Sequence, residues 1–224
     1  MFGQFTDAIV ITLKLAGVTT VFLLAFSLPL AWWLATSRSR LRPFVEATVA
    51  LPLVLPPTVL GFYLLIFLSP ESLLGGFWLE LTGQTLTFSF SGLVVGSFLY
   101  SLPFAVQPLQ TAFRSVGVAH MEAAATLGAA PLDAFRSVAL PLARRGVLTA
   151  AVLSFAHTVG EFGVVLMVGG NIPGRTRVLS IEVFSAVETL DYTAAHYLSA
   201  GLLAFSFVVL SAIYLTDRGA RAAR

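Results

Sequence analysis

The chain has 224 residues, of which 57% are hydrophobic and only 11% charged, and its mean hydropathy is +0.90. Soluble domains carry about 45–50% and about 25% respectively, and much of any folded surface must face water, so lipid is the solvent for most of this chain. The same figures exclude a disordered tail, a collagen-like fibre and a nucleic-acid-binding module; the net charge of +2 points to no polyanion partner, and the absence of cysteine removes thiol catalysis, disulfides and Cys-based metal sites.

A bilayer core about 30 Å thick needs about 20 apolar residues per helix. Five runs meet that need, at 15–34, 45–68, 90–113, 147–168 and 194–216. They predict an all-α integral membrane protein with a single transmembrane domain over 1–224. The first run, Leu15–Leu34, is free of charge, with Lys14 placed to snorkel at its edge, and is too long for a signal-peptide core. In the second run Pro52, Pro56 and Pro57, followed by Thr58, remove backbone donors from mid-span. Irregular backbone is tolerated in a membrane only when buried in protein or facing a water-filled cavity, so these four residues are pathway candidates. Pro103 and Pro108 are predicted to interrupt the third run in the same way.

The fourth run contains a carboxylate, Glu161, at a cost of about 2.5–3.5 kcal/mol on the insertion scale, so it is predicted to face the bundle or a cavity. Like charges repel, which makes a carboxylate the wrong ligand for a dianion. A bracing role suits it better, accepting from N–H groups near Gly160 and Gly163 or pairing with His157 one turn earlier. His157, Glu161 and Gly163 join the pathway or gate candidates. A proton relay of His157 and Glu161 is the alternative, and would suit a carrier or channel that needs no nucleotide. Beyond this run, Gly169–Gly174 is dense with turn residues, and Leu179, Val183, Val187 and Leu190 then recur at helical spacing with Glu182 and Glu188 off the stripe. The segment 171–191 reads as a short amphipathic element at the outer interface, too polar to span. Within it Arg175 and Arg177 are the basic residues of the outer loops and, with Asn171, are candidate contacts for an anion or an acidic docking protein.

Charge placement gives orientation. Arg38, Arg40 and Arg42, then Arg114, Arg136, Arg144 and Arg145, then Arg218, Arg221 and Arg224 make up ten of the thirteen basic residues, all on one side of a five-span chain. The opposite loop, 69–89, holds only Glu71 and Glu80. The positive-inside rule puts the amino terminus outside and the carboxyl terminus in the cytoplasm, with Trp32 and Trp33 suited to the inner aromatic belt. Catalytic signatures are missing. A P-loop needs a Lys after Gly, and the single lysine, Lys14, follows Leu13; His120, His157 and His196 lack metal-ligand spacing, and no Gly-x-Ser-x-Gly occurs. The chain is therefore not read as an enzyme, and it has no predicted metal site, no cofactor of its own and no internal repeat of the secondary-transporter kind.

The cytoplasmic segment 114–145 is the most informative. Its Ala-rich stretch from Glu122 to Leu127 favours helix, Gly128 suits a left-handed cap, Pro131 suits the first turn of a second helix with Asp133 at its start, and Leu140-Pro141 closes the unit. The result is a helical hairpin with a face of small side chains that another protein's backbone can approach closely. Glu-Ala-Ala at 122–124, Gly128, and Val138-x-Leu140-Pro141 resemble the EAA loop of binding-protein-dependent ABC importer permeases, with Val138 in place of the more usual Ile. Ala50–Tyr63 and His157–Gly174 further resemble the molybdate branch of that family, whose close kin carry sulfate and tungstate. The resemblance implies a five-helix permease core without the extra leading helix of some relatives, in a bacterial plasma membrane. It implies that Glu122, Ala123, Ala124, Gly128, Val138, Leu140 and Pro141 couple to a cytoplasmic ATPase, which binds ATP and Mg. The implied assembly is two permeases, two ATPase subunits and one extracytoplasmic oxyanion-binding protein. Five helices enclose little, so the pathway is expected between two copies about a two-fold axis.

Overall fold

A stripe of small and aliphatic residues along the first helix sets the architecture. In this computed structural model, which describes residues 2–221 and the side chains of 5–117 and 119–212, α1 spans Phe2–Thr36. Ala8, Thr12, Leu15, Thr19, Leu23, Ser27, Ala31 and Leu34 are buried at spacings of three and four, so they form one face. That face lies along α5 (Phe90–Val116) and α9 (Arg144–Gly160), and its small side chains let the backbones approach. These three helices are the central bundle. The helix starts well before Leu15, because Ala8 and Thr12 continue the buried stripe while Asp7 and Lys14 ride on the exposed side.

Three stretches, Phe5–Thr36, Phe90–Val116 and Tyr192–Ala212, are long and apolar enough to cross a membrane. Two bent pairs raise the number to five if each counts as one span: Arg42–Val54 with Pro57–Phe67, bent by 112°, and Pro131–Leu142 with Arg144–Gly160, bent by 72°. The first pair, α2 and α3, is separated by an interruption that the sequence dictates. Leu55 and Pro56 each precede a proline, which disfavours the helical region, and both lie at ψ 136°. Pro57 then occupies the first turn of α3, where its missing N–H costs nothing. In α5, by contrast, Pro103 and Pro108 do not interrupt anything: the helix runs unbroken from Phe90 to Val116. Its packing against α1 and α9 outweighs the bonds each proline removes.

The run predicted as a continuous span at 147–168 is divided. α9 stops at Gly160, Glu161 is extended (φ −67°, ψ 134°), and a seven-residue helix, α10 (Gly163–Gly169), follows. α10 crosses α3 at backbone distance: a methyl at Gly163 would sit 2.6 Å from Pro57 Cβ, and one at Gly61 2.7 Å from Met167 Cβ. α4 (Leu73–Thr82) fills the loop after α3, started by Ser72 accepting from the Gly75 N–H and stopped by Gly83 at φ +69°. α11 (Leu179–Glu188) forms the expected short helix, but with a different face inward. Val178 ahead of the helix and Ile181, Glu182 and Ala186 within it are buried, whereas Val187 and Leu190 of the predicted stripe are exposed. Glu182 can turn inward because Arg177 meets it at 3.3 Å.

At the other end, α6 (Val118–Thr126) stops as expected at Gly128, whose φ is +83°. Pro131 then opens a continuous helical stretch made of α7 (Pro131–Ala134), a π-helical turn (Phe135–Ala139) and α8 (Leu140–Leu142). Trp32 is half-buried. It packs edge-on to Phe113 (5.3 Å between ring centres) and beside Phe135 (5.3 Å), and with Trp33 borders a cluster that includes Val116, Ala139 and Ala143. This aromatic group fastens the hairpin to α1 and α5. The last helix, α12 (Tyr192–Arg221), rests on α11 and α9 with little of its surface covered; Arg224 and the side chains of Arg218 and Arg221 lie outside the described residues.

Candidate functional site

The two helix interruptions meet. Gly163, the first residue of α10, is in contact with Pro57, the first of α3, so both breaks open onto one cavity of about 480 Å³. Its lining is Pro57, Thr58, Tyr100, Ala156, His157, Gly160, Glu161, Phe162 and Gly163. Five of the seven pathway candidates are thus brought together: Pro57, Thr58, His157, Glu161 and Gly163. Pro52 and Pro56 are not in the lining; Pro56 forms the bend and Pro52 lies within α2.

His157 is held by a chain of three hydroxyl contacts. Its Nδ1 lies 2.9 Å from Ser101 Oγ, which lies 3.1 Å from Thr158 Oγ1, which in turn donates to the Ser154 carbonyl at 2.9 Å. A hydroxyl has one proton, and a carbonyl can only accept. All three contacts are satisfied together only if Thr158 donates to Ser154, Ser101 donates to Thr158 and His157 Nδ1–H donates to Ser101. The ring is fixed in plane as well, stacked on Phe104 at 3.9 Å and flanked by Tyr100 at 5.0 Å. The polar edge left for the cavity is Nε2.

Glu161 does not act as the expected brace. It is 3% exposed, and neither carboxylate oxygen has a hydrogen-bond partner among the described residues. The bond to His157 does not form, because the extended backbone at 161 breaks the one-turn register and Ser101 already holds the ring. Bonds from N–H groups at 160 and 163 do not form either. Ser97 Oγ, buried and likewise without a partner, faces the carboxyl. No Lys or Arg lies among the lining residues, so the cavity presents hydroxyls, an imidazole edge, Glu161 and apolar surface.

On the hairpin side, Glu122, Ala123, Gly128 and Pro141 are exposed, Val138 and Leu140 are half-buried, and Ala124 is buried. The exposed edge carries Leu127 at 88% exposure, a large apolar side chain left open to a partner. Nearby, Glu46 Oε1 accepts from Gln110 Nε2 (2.6 Å), Arg114 Nη2 (2.8 Å) and Arg42 Nε (3.1 Å), tying α2 to the end of α5. The outer candidates divide. Arg177 is engaged, donating from Nε to Asn171 Oδ1 and reaching Glu182, while Asn171 Nδ2 donates to Ser185. Arg175 is exposed.

Several of these residues escaped the sequence reading. Ser101 and Tyr100 sit in an apolar helix where single hydroxyls are common, and only their spacing from Ser97 and Phe104 on one helical face hints at a lined surface. Glu46 was legible as an i,i+4 partner of Arg42, but its second and third partners come from 64 and 68 residues away.

An all-helical membrane chain with paired helix interruptions around a cavity, and an exposed hairpin at one end, has the build of the membrane part of a transporter. Residues 27–223 match the family described as binding-protein-dependent transport system inner membrane component, and the chain belongs to that family. It is 56% identical over 211 residues to the molybdenum transport system permease protein ModB of Azotobacter vinelandii, covering 94% of this chain and 93% of that one. Identity to the Mycobacterium tuberculosis ModB is 38% over 96% of this chain and 78% of that one. The sulfate transport system permease CysT of Salmonella typhimurium is 34% identical over 94% of this chain and 76% of its own length. The fold is also that of solved transporters: a chain of the inward-facing MetNI methionine ABC transporter matches with a TM-score of 0.76 at 20% identity, over 100% of this chain and 98% of that one. A chain of a bacterial alginate ABC transporter matches at 0.75 and 18%, over 96% and 78%.

Proposed function

We propose that this chain is the membrane-spanning permease subunit of an ATP-driven molybdate importer. The observation that carries the reading is the 56% identity, across nearly the whole of both chains, to a molybdenum transport permease, set against 34% to a sulfate permease. Membership in the family makes it a transport component of the inner membrane and supports a non-enzymatic role. Two copies would line the pathway, with the cavity at Pro57, Thr58, His157 and Gly163 as each copy's share. A cavity without Lys or Arg suits passage rather than capture, because a dianion held by buried cations would not be released. Selectivity then rests with the oxyanion-binding protein, which docks at the outer face near Arg175. The amino terminus is outside and the hairpin cytoplasmic, a reading that the arginine distribution supports. Glu122, Ala123, Ala124, Gly128, Val138, Leu140 and Pro141 contact a partner ATPase that binds ATP and Mg and supplies the work.

Vesicles containing this chain with its ATPase, ATP and loaded binding protein accumulate molybdate; vesicles containing the chain alone do not. Uptake by the chain alone would establish instead a nucleotide-independent carrier. In the complete system Glu122→Lys abolishes uptake while membrane insertion is unchanged.

A further inference from the structure

The short helix α10 is suspended between two hydroxyls of the outer segment. At seven residues it cannot persist on its own, since isolated helices shorter than about 12 residues are marginal. At its far end, Thr176 Oγ1 donates to the Gly169 carbonyl at 2.7 Å from a fully buried position and also accepts from the Ile172 N–H. At its near end, the Glu161 carbonyl lies outside both α9 and α10, and Ser180 Oγ of α11 donates to it at 2.5 Å. The Phe184 ring, one turn further along α11, packs on Phe162 at 4.9 Å. α11 is anchored in turn to the central bundle, through the Leu179 N–H donating to Thr12 Oγ1 at 2.8 Å. The segment from Thr176 to Phe184 therefore runs as a splint along α10, gripping the residues on either side of it.

We infer that Ser180 and Thr176 are positioning residues for transport, setting the second helix break, and with it one wall of the cavity, according to where α11 lies. The geometry leaves few other ways to place α10: its Gly163 end abuts Pro57 and its Gly169 end abuts Leu93, so a shift of α11 must move α10 against α3 and α5. α11 also leaves Val187 and Glu188 exposed, so it is an element on which an outer-face partner would push. The inference rests on the proposed function for what pushes α11; the splint itself does not.

The test has one arm for each. The chain has no cysteine, so a single Ser97→Cys gives a clean buried reporter on α5 beneath the break. In the assembled complex, the rate at which a small thiol reagent labels Ser97→Cys should rise about fivefold to tenfold when Ser180→Ala is added, which is the weight of one hydrogen bond, and fall back with Ser180→Thr. An unchanged rate overturns the inference. In the second arm, Ser180→Ala and Thr176→Val should each lower the ratio of ATP hydrolysis with molybdate-loaded binding protein to hydrolysis without it by at least about threefold, leaving the unstimulated rate intact, again restored by Ser180→Thr. Loss of both rates in proportion means a merely structural contact and overturns the positioning role. If the parent complex shows no stimulation at all, the importer reading falls, and the labelling arm alone decides whether the splint stands.

Discussion

The chain interrupts two of its helices where they meet, and it does so by different means. Between α2 and α3 the determinants are local: the tandem Pro56 and Pro57 disfavour helix at their predecessors, and Leu55 and Pro56 are both extended. Between α9 and α10 no proline is present. Gly160 and Gly163 permit a break at Glu161 without requiring one, and the bonds that hold it open come from elsewhere: Ser180 on the Glu161 carbonyl, Phe184 on Phe162, and Pro57 against Gly163. One wall of the cavity is thus built into the backbone, whereas the other is held by tertiary contacts and is free to respond to them.

The contrast can be broken in several ways. The largest effect is on the isolated segments. In micelles, a peptide of residues 42–67 keeps its bend, while one of residues 144–169 closes into a single helix, read by NMR as an i→i−4 bond pattern through 161; a bend in both would mean that the second break is also local. In the whole protein, Gly163→Leu drives a side chain into Pro57 and should cost about 3 kcal/mol, read as a lower melting temperature of the purified complex together with loss of uptake. Glu161→Met should act in the opposite direction on stability. It replaces a buried carboxylate that has no bonding partner among the described residues and should raise stability by about 2 kcal/mol, even if transport is slowed. The smallest effect belongs to Ser101→Ala, which frees the His157 ring and should cost about 1 kcal/mol without changing the unstimulated ATPase rate.

How much was legible follows the same division. The prolines at 56–57, the Gly128 cap, the Pro131 start and the need for an all-helical membrane fold are local or compositional, and the sequence states them. Pro103 and Pro108 misled because a proline's local cost is real but smaller than the packing α5 gains from α1 and α9. The second break was missed for the reciprocal reason: its determinants lie far from it in sequence, at Ser180 and Pro57. The inward turn of Glu182 was hidden likewise, since an apolar stripe predicts burial only until a partner such as Arg177 makes the carboxylate the better-satisfied face. Within the candidate site, Pro57, Thr58, His157, Glu161 and Gly163 were identifiable by residue type, but the role of Glu161 was not, because whether a carboxylate finds a donor is decided by neighbours rather than by its own segment.

The central claim is that this chain passes molybdate when an ATPase moves it. The most direct measurement is ATP hydrolysis by the purified complex of this chain with its ATPase, stimulated in parallel by binding protein loaded with molybdate and with sulfate. Stimulation several-fold greater with the molybdate-loaded form is the predicted result; equal stimulation by sulfate would contradict the substrate, and none with either would contradict the importer itself.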